Sequence, residues 1–179
     1  FPLVGVALFC DYWIIGFYIK QLPEYLKTFA LDPEGWHLPG SSKTFSLNEI
    51  DEAEDVHKVF YKNRWIKEDL SQKKIKGGAK PLEQHLVVSF SLKYKNYQRK
   101  IRGGQIERAR KLINDGDYKQ RPKNQNDPHR FIVREKVTKE GEICSDEFVY
   151  LNTDAIMEEE RYDGFYAVCT NLSSMGVDE

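Results

Sequence analysis

The sequence predicts an α+β protein, and three observations carry that prediction. A run of aromatic and β-branched residues opens onto a helix with one apolar stripe. Residues 86–92 alternate as a half-buried strand must, and the apolar period then lengthens to that of a helix through 93–113. At 179 residues the chain is long enough for one domain with a core of its own, or for one domain and part of another. It begins at Phe1 rather than Met, so a fragment, a processed form or a different start is expected. With 40% hydrophobic and 31% charged residues and a mean hydropathy of −0.62, it has the composition of soluble globular proteins.

Residues 12–19 are apolar and short, which suits a strand buried on both faces. In the helix that follows, Pro23 takes an N1-like position and Leu22, Tyr25, Leu26, Phe29 and Ala30 form the stripe, until Asp32-Pro33-Glu34-Gly35 stops it. Segments 44–50 and 59–66 read as strands, and 71–81, with its lysines and Gly77-Gly78, as a basic loop. In the next strand Leu86, Val88, Phe90 and Leu92 alternate with Val87, Ser89 and Ser91.

Within 93–113, Ile101, Ile106, Ala109, Leu112 and Ile113 fall roughly in helical phase. Gly103-Gly104 interrupts them at about 2 kcal/mol relative to two alanines. Asn114-Asp115-Gly116 ends that helix, and 122–128 is a polar loop. Residues 131–138 and 143–151 flank Lys139-Glu140-Gly141-Glu142 as a hairpin would. Asn152 or Thr153 caps a short acidic helix reaching residue 161, and Asp163-Gly164 opens a last strand, 165–171.

The net charge of −1 hides a segregation. Residues 58–136 hold 22 of the 27 Lys+Arg and 8 of the 28 Asp+Glu, which gives +14 there and −15 on the flanks. Such a split implies a polyanionic partner for the middle. Its densest part is Lys93, Lys95, Arg99, Lys100, Arg102, Arg108, Arg110 and Lys111, interleaved with Tyr94 and Tyr97 and opposed only by Glu107. Long cations at helical spacing follow a phosphate backbone and release its counterions, and tyrosines stack on bases or bond phosphates. Lys93, Lys95, Tyr97, Arg99, Lys100, Arg102, Arg108, Arg110 and Lys111 are therefore the expected DNA contacts. A solvated helix face is the competing reading, weakened because the basic excess spans the whole stretch from Lys58 to Lys136.

Other chemistries find little support. Cys10, Cys144 and Cys169 form no CxxC pair, and His37, His57, His85 and His129 lie far apart. The clusters Asp51, Glu52, Glu54, Asp55 and Glu158, Glu159, Glu160 are nearly consecutive, so their side chains diverge and suit solvated faces better than a two-metal site. No phosphate-binding loop, dinucleotide fingerprint or nucleophile elbow is present. The apolar opening, 1–19, is long enough for a membrane helix, but Asp11 would cost about 2.5–3.5 kcal/mol at mid-membrane. No basic region precedes that run as in a signal peptide, and a cytoplasmic location is expected.

Tyr94-Lys95-Asn96-Tyr97-Gln98-Arg99-Lys100-Ile101-Arg102, followed by Gln105-Ile106-Glu107-Arg108-Ala109, resembles the YxxYQRxxRxxQIxRA helix of bacterial insertion-sequence transposases of the DDE type. Arg161-Tyr162-Asp163-Gly164-Phe165-Tyr166-Ala167-Val168-Cys169-Thr170-Asn171 resembles the YDGFYAVxTN strand of the same proteins. Ile14-Ile15-Gly16 and Leu31-Asp32-Pro33-Glu34-Gly35-Trp36 resemble a third block, so the likeness spans about residues 12–172. It implies an RNase H-like core carrying a β-rich insertion, and three carboxylates that hold two Mg2+ ions for DNA strand cleavage and transfer.

The blocks that bear those carboxylates in the family find no counterpart here. Asp11 is the sole acidic residue near one such position, in surroundings that do not match, and Asp163 matches a residue read as structural. No catalytic residue and no metal ligand is assigned. The resemblance implies a central piece of such an enzyme, inactive by itself: 1–40 and 152–179 as parts of the core, 41–151 as the insertion, and transposon-end DNA, with a second copy of the chain, as partner. An interaction domain whose basic middle binds an acidic protein is the alternative.

Overall fold

The computed structural model describes residues 13–68, 82–119, 122, 124, 126–136 and 147–172. They form an α+β architecture with a six-stranded sheet, a two-stranded sheet and three α-helices. Contacts divide the chain into two compact units, one comprising residues up to Lys95 with those from Gly164 onward, the other Asn96–Asp163. Strands on both sides of residue 40 share one sheet, because backbone pairing joins segments that composition alone separates.

The first unit holds β1 (Ile14–Phe17), α1 (Glu24–Leu31), β2 (Trp36–His37), β3 (Thr44–Phe45), β4 (Val59–Glu68), β5 (Leu82–Ser91) and β8 (Phe165–Thr170). The sheet order is β1-β8-β5-β4-β2-β3, antiparallel at every step. β5 sits at the centre, and its alternation is the pattern read from sequence: Leu86, Val88 and Phe90 are buried, with Val87 and Ser89 between them on the other face. By register Phe60 and Lys62 of β4 and Phe165, Ala167 and Cys169 of β8 share that inner face. Leu26 and Ala30 of α1 are buried too, as are Ile19 and Leu22 before it and Trp36.

Three local expectations fail here for physical reasons. The strand at 12–19 is shorter, Ile14–Phe17, and lies at the sheet edge with Ile14 66% exposed, so it is not buried on both faces. An unbroken apolar run carries no period that could have distinguished the two. Pro23 is the N-cap residue of α1 rather than its first helical residue. In 44–50 only Thr44–Phe45 is strand. The Ser46 hydroxyl accepts from the Asn48 N–H and caps a 3-10 turn, Leu47–Glu49, an alternative that serine offers the backbone. The basic loop at 71–81 lies outside the described residues.

The second unit contains most of α2 (Leu92–Asn114), β6 (Ile132–Lys136), β7 (Glu147–Leu151) and α3 (Thr153–Glu160). α2 runs unbroken through Gly103-Gly104 and closes as predicted. Gly116, at φ 77°, donates to the Ile113 carbonyl at 3.2 Å while Asp117 donates to Leu112 at 3.0 Å, the paired bonds of a Schellman cap. β6 and β7 pair antiparallel from Ile132↔Leu151 to Lys136↔Glu147. The turn expected at 139–142 lies outside the described residues. Asn152 caps α3 by accepting from the Ala155 N–H at 3.0 Å.

Candidate nucleic-acid interface

All nine residues expected to contact DNA lie on α2. Lys93 and Lys95 belong to the first unit, where Lys93 is exposed and Lys95 lies 3.9 Å from the Glu52 carboxylate. In the second unit Tyr97, Arg99, Lys100, Arg108, Arg110 and Lys111 are exposed. Arg110 reaches Glu107 at 3.0 Å, and Arg108 donates from Nε to the Gly104 carbonyl at 3.2 Å, one turn back. Five exposed cations against one carboxylate make this part of α2 strongly positive.

Arg102 departs from the expected role. It is 5% exposed, and its guanidinium donates from Nη1 to Oδ1 of Asp163 at 2.7 Å and from Nη2 to Oδ2. Glu160 lies 3.5 Å from Nη2, and Arg99 adds a second cation 3.8 Å from Asp163. The hydrogen bonds to Asp163 hold the Arg102 guanidinium above its ordinary pKa, with Glu160 and Glu159 adding to the effect. At 5% exposure, and with two N–H groups on Asp163, the Arg102 guanidinium points away from the exposed cations of α2. The sequence held a signal for this: Arg102, Gln105, Ile106 and Ala109 stand at i, i+3, i+4 and i+7, which places a cation within the apolar stripe.

Gln105 and Arg130 were not singled out from sequence, yet they form a second, half-buried network on the same helix. Arg130 donates from Nη2 to Gln105 Oε1 at 2.6 Å and grips Glu159 through Nε at 3.1 Å and Nη2 at 3.0 Å. Its guanidinium also stacks 4.0 Å from the centre of the Phe131 ring, which is fully buried. Asp127 starts the turn that presents Arg130, accepting from the His129 N–H at 3.0 Å. Polar groups of α2, this turn and α3 thereby satisfy one another, as buried polar groups must.

Among the described residues, no group of three or more His, Cys, Asp or Glu is placed to hold a metal ion. Asp163, the carboxylate within the transposase-like strand block, is turned into Arg102 and presents no ligand. Asp11 lies outside the described residues. Cys169 is buried, which pushes its thiol up to about 11 and leaves it un-ionised. Of the histidines, His85 stacks on Trp65 at 4.8 Å and His37 tilts against Tyr61 at 5.8 Å. No described helix is long and apolar enough to cross a membrane.

Compared with protein-family models, curated proteins and solved structures, the chain finds no match.

Proposed function

We propose that this chain binds DNA through its phosphate backbone, as the central part of a DDE-type transposase whose intact form has an RNase H-like core and uses Mg2+. The observation that carries the reading is the exposed cationic face of α2 formed by Arg99, Lys100, Arg108, Arg110 and Lys111. Phosphates are the ligand that such a row of long cations serves best, with affinity drawn from counterion release and no dependence on base sequence. The transposase reading draws further support from the way its quoted blocks meet. Arg102, from the helix block, and Asp163, from the strand block, form a buried ion pair. Strand cleavage would belong to carboxylates that the described residues do not supply.

A salt titration of duplex DNA binding by the full chain, read by fluorescence anisotropy, tests this. The association constant falls linearly with salt on logarithmic axes. No binding at low salt, or a flat response, refutes the reading. A polyglutamate competitor of matched charge that displaces DNA at lower concentration favours an acidic protein partner instead.

A further inference from the structure

The hairpin of the second unit leaves one strand edge open. Among the described residues β6 and β7 pair only with each other, and a two-stranded sheet gains stability from further strands or from packing on a helix. Their ladder fixes which backbone groups point outward. The Asn152 N–H donates to the Phe131 carbonyl at 2.8 Å, and bonding alternates along an antiparallel pair, so Phe148 and Tyr150 turn their N–H and C=O groups towards β6. Glu147, Val149 and Leu151 turn theirs away, onto the outer edge of β7. On β6 the outward residues are Ile132, Arg134 and Lys136. That edge is guarded: the Ile132 N–H is taken by the His129 carbonyl, and Arg134 and Lys136 are charged. β7 carries no lysine or proline, and its register is unbroken. Its single charge, Glu147, lies 3.9 Å from Arg134 of its own hairpin, and Phe148 and Tyr150 are 56% and 44% exposed.

We propose that β7 is a self-association edge, pairing antiparallel with β7 of a second copy of the chain about a two-fold axis at Val149. Self-pairing of this edge does not require the chain to bind DNA. The strand reads nearly alike in both directions: an aromatic residue flanks Val149 on either side, and an isologous contact needs such self-complementarity. In this register Val149 exchanges both backbone bonds with Val149 of the second copy, and Glu147 does so with Leu151 of the second copy. Phe148 then faces Tyr150 of the second copy as a non-hydrogen-bonded pair, with Cα atoms about 4.5 Å apart, the closer of the two cross-strand spacings. Aromatic pairs so placed stabilise a sheet. The two Glu147 carboxylates stand at opposite ends of the contact, so no like charges meet. Pairing β6 with β6 about Arg134 would set two guanidinium groups against each other. Pairing β6 with β7 would be head-to-tail and build a ring or a filament. Charge and symmetry therefore select β7 against itself, giving one continuous sheet across two chains.

Sedimentation equilibrium of the full chain over a wide concentration range tests this. The native chain should associate to a dimer and no further. In Phe148→Lys/Tyr150→Lys, lysines oppose lysines across the two-fold axis, and the dimer dissociation constant should rise by about tenfold or more. In Phe148→Lys/Tyr150→Glu each lysine meets a glutamate of the second copy, and dimerisation should return towards the native level. Both variants lose the same two exposed rings, so lost apolar surface cannot produce a difference between them. Recovery in the second variant but not in the first, with urea midpoints alike, supports the pairing. A native chain that stays monomeric leaves the edge to some other partner and overturns the proposal. So does a dimer that both variants leave intact or both abolish. Larger, open-ended assemblies place β6 against β7 and overturn it too. Should the lysines unfold the hairpin, Phe148→Thr/Tyr150→Thr, which keeps strand propensity, replaces them, and an undiminished dimer then sinks the pairing.

Discussion

Arg102 and Asp163, 61 residues apart in sequence, meet as a buried two-pronged ion pair, with both residues at most 5% exposed. Asp163 closes the second unit at its last residue, and Arg102 is the cation of α2 that faces inward. The pair fixes the end of the α3 segment against α2. Removing either partner leaves the other buried without its two hydrogen bonds and with only a longer contact to an opposite charge, Arg99 at 3.8 Å for Asp163 and Glu160 at 3.5 Å for Arg102. Arg102→Ala and Asp163→Ala are each expected to destabilise the protein by about 3–5 kcal/mol in urea unfolding. The double variant should lose less than the sum of the two. A single-variant loss under about 1 kcal/mol would show that the pair is not what holds these segments together.

Surface cations on the same helix follow the opposite logic. Replacing Lys100, Arg108 and Lys111 together by alanine removes exposed charges that no buried group needs, so the urea midpoint stays within experimental error. The slope of log affinity against log salt, however, should fall by about 2.7, three phosphate contacts at about 0.9 each. An unchanged slope would place the DNA elsewhere on the protein.

Gly164 differs from the α2 glycines in being required by its surroundings. It has φ 87°, and an added Cβ would stand 2.7 Å from the Phe90 ring and 3.0 Å from both the Lys95 Cβ and the Ser91 carbonyl oxygen. Left-handed backbone and overpacking then act together, so Gly164→Ala should cost roughly 2–4 kcal/mol, measured as a lowered urea midpoint. Tolerance of alanine there would mean that β5 and β8 separate easily at this end.

Much of the fold was legible because local rules and burial agree. Leu86, Val88 and Phe90 alternate in sequence and are buried in space, Asn152 caps α3, and Gly116 closes α2. What stayed hidden depends on partners remote in sequence. Arg102 reads as one more cation in a basic helix until Asp163 is brought against it. Nothing near Lys62 in the chain announces that it points into the core. Edge position is equally non-local: β1 lies at the sheet margin because β8, and not the apolar run around it, supplies its pairing.

Lys62 yields the last prediction. It is 4% exposed, its Nζ donates to the Asp32 carbonyl at 2.7 Å and the Glu34 carbonyl at 3.5 Å, and it lies 4.7 Å from the Trp36 ring centre and 4.9 Å from that of Phe29. Burial disfavours the ammonium and pulls its pKa from 10.5 down to about 8, against the opposing pull of Asp32 and Glu34. Below pH 8 both folded and unfolded chains hold the proton, and the folded state carries the full cost of burying it. Between about 8 and 10.5 the unfolded chain still holds a proton that the folded chain has released, so this group makes stability rise with pH across that window. Lys62→Met removes the titration while keeping a flexible side chain of similar length. The urea midpoint of the native protein should therefore gain on that of Lys62→Met as pH goes from 8 to 10.5. Parallel profiles would show that Lys62 keeps an ordinary pKa and that the carbonyls and rings around it compensate its burial in full.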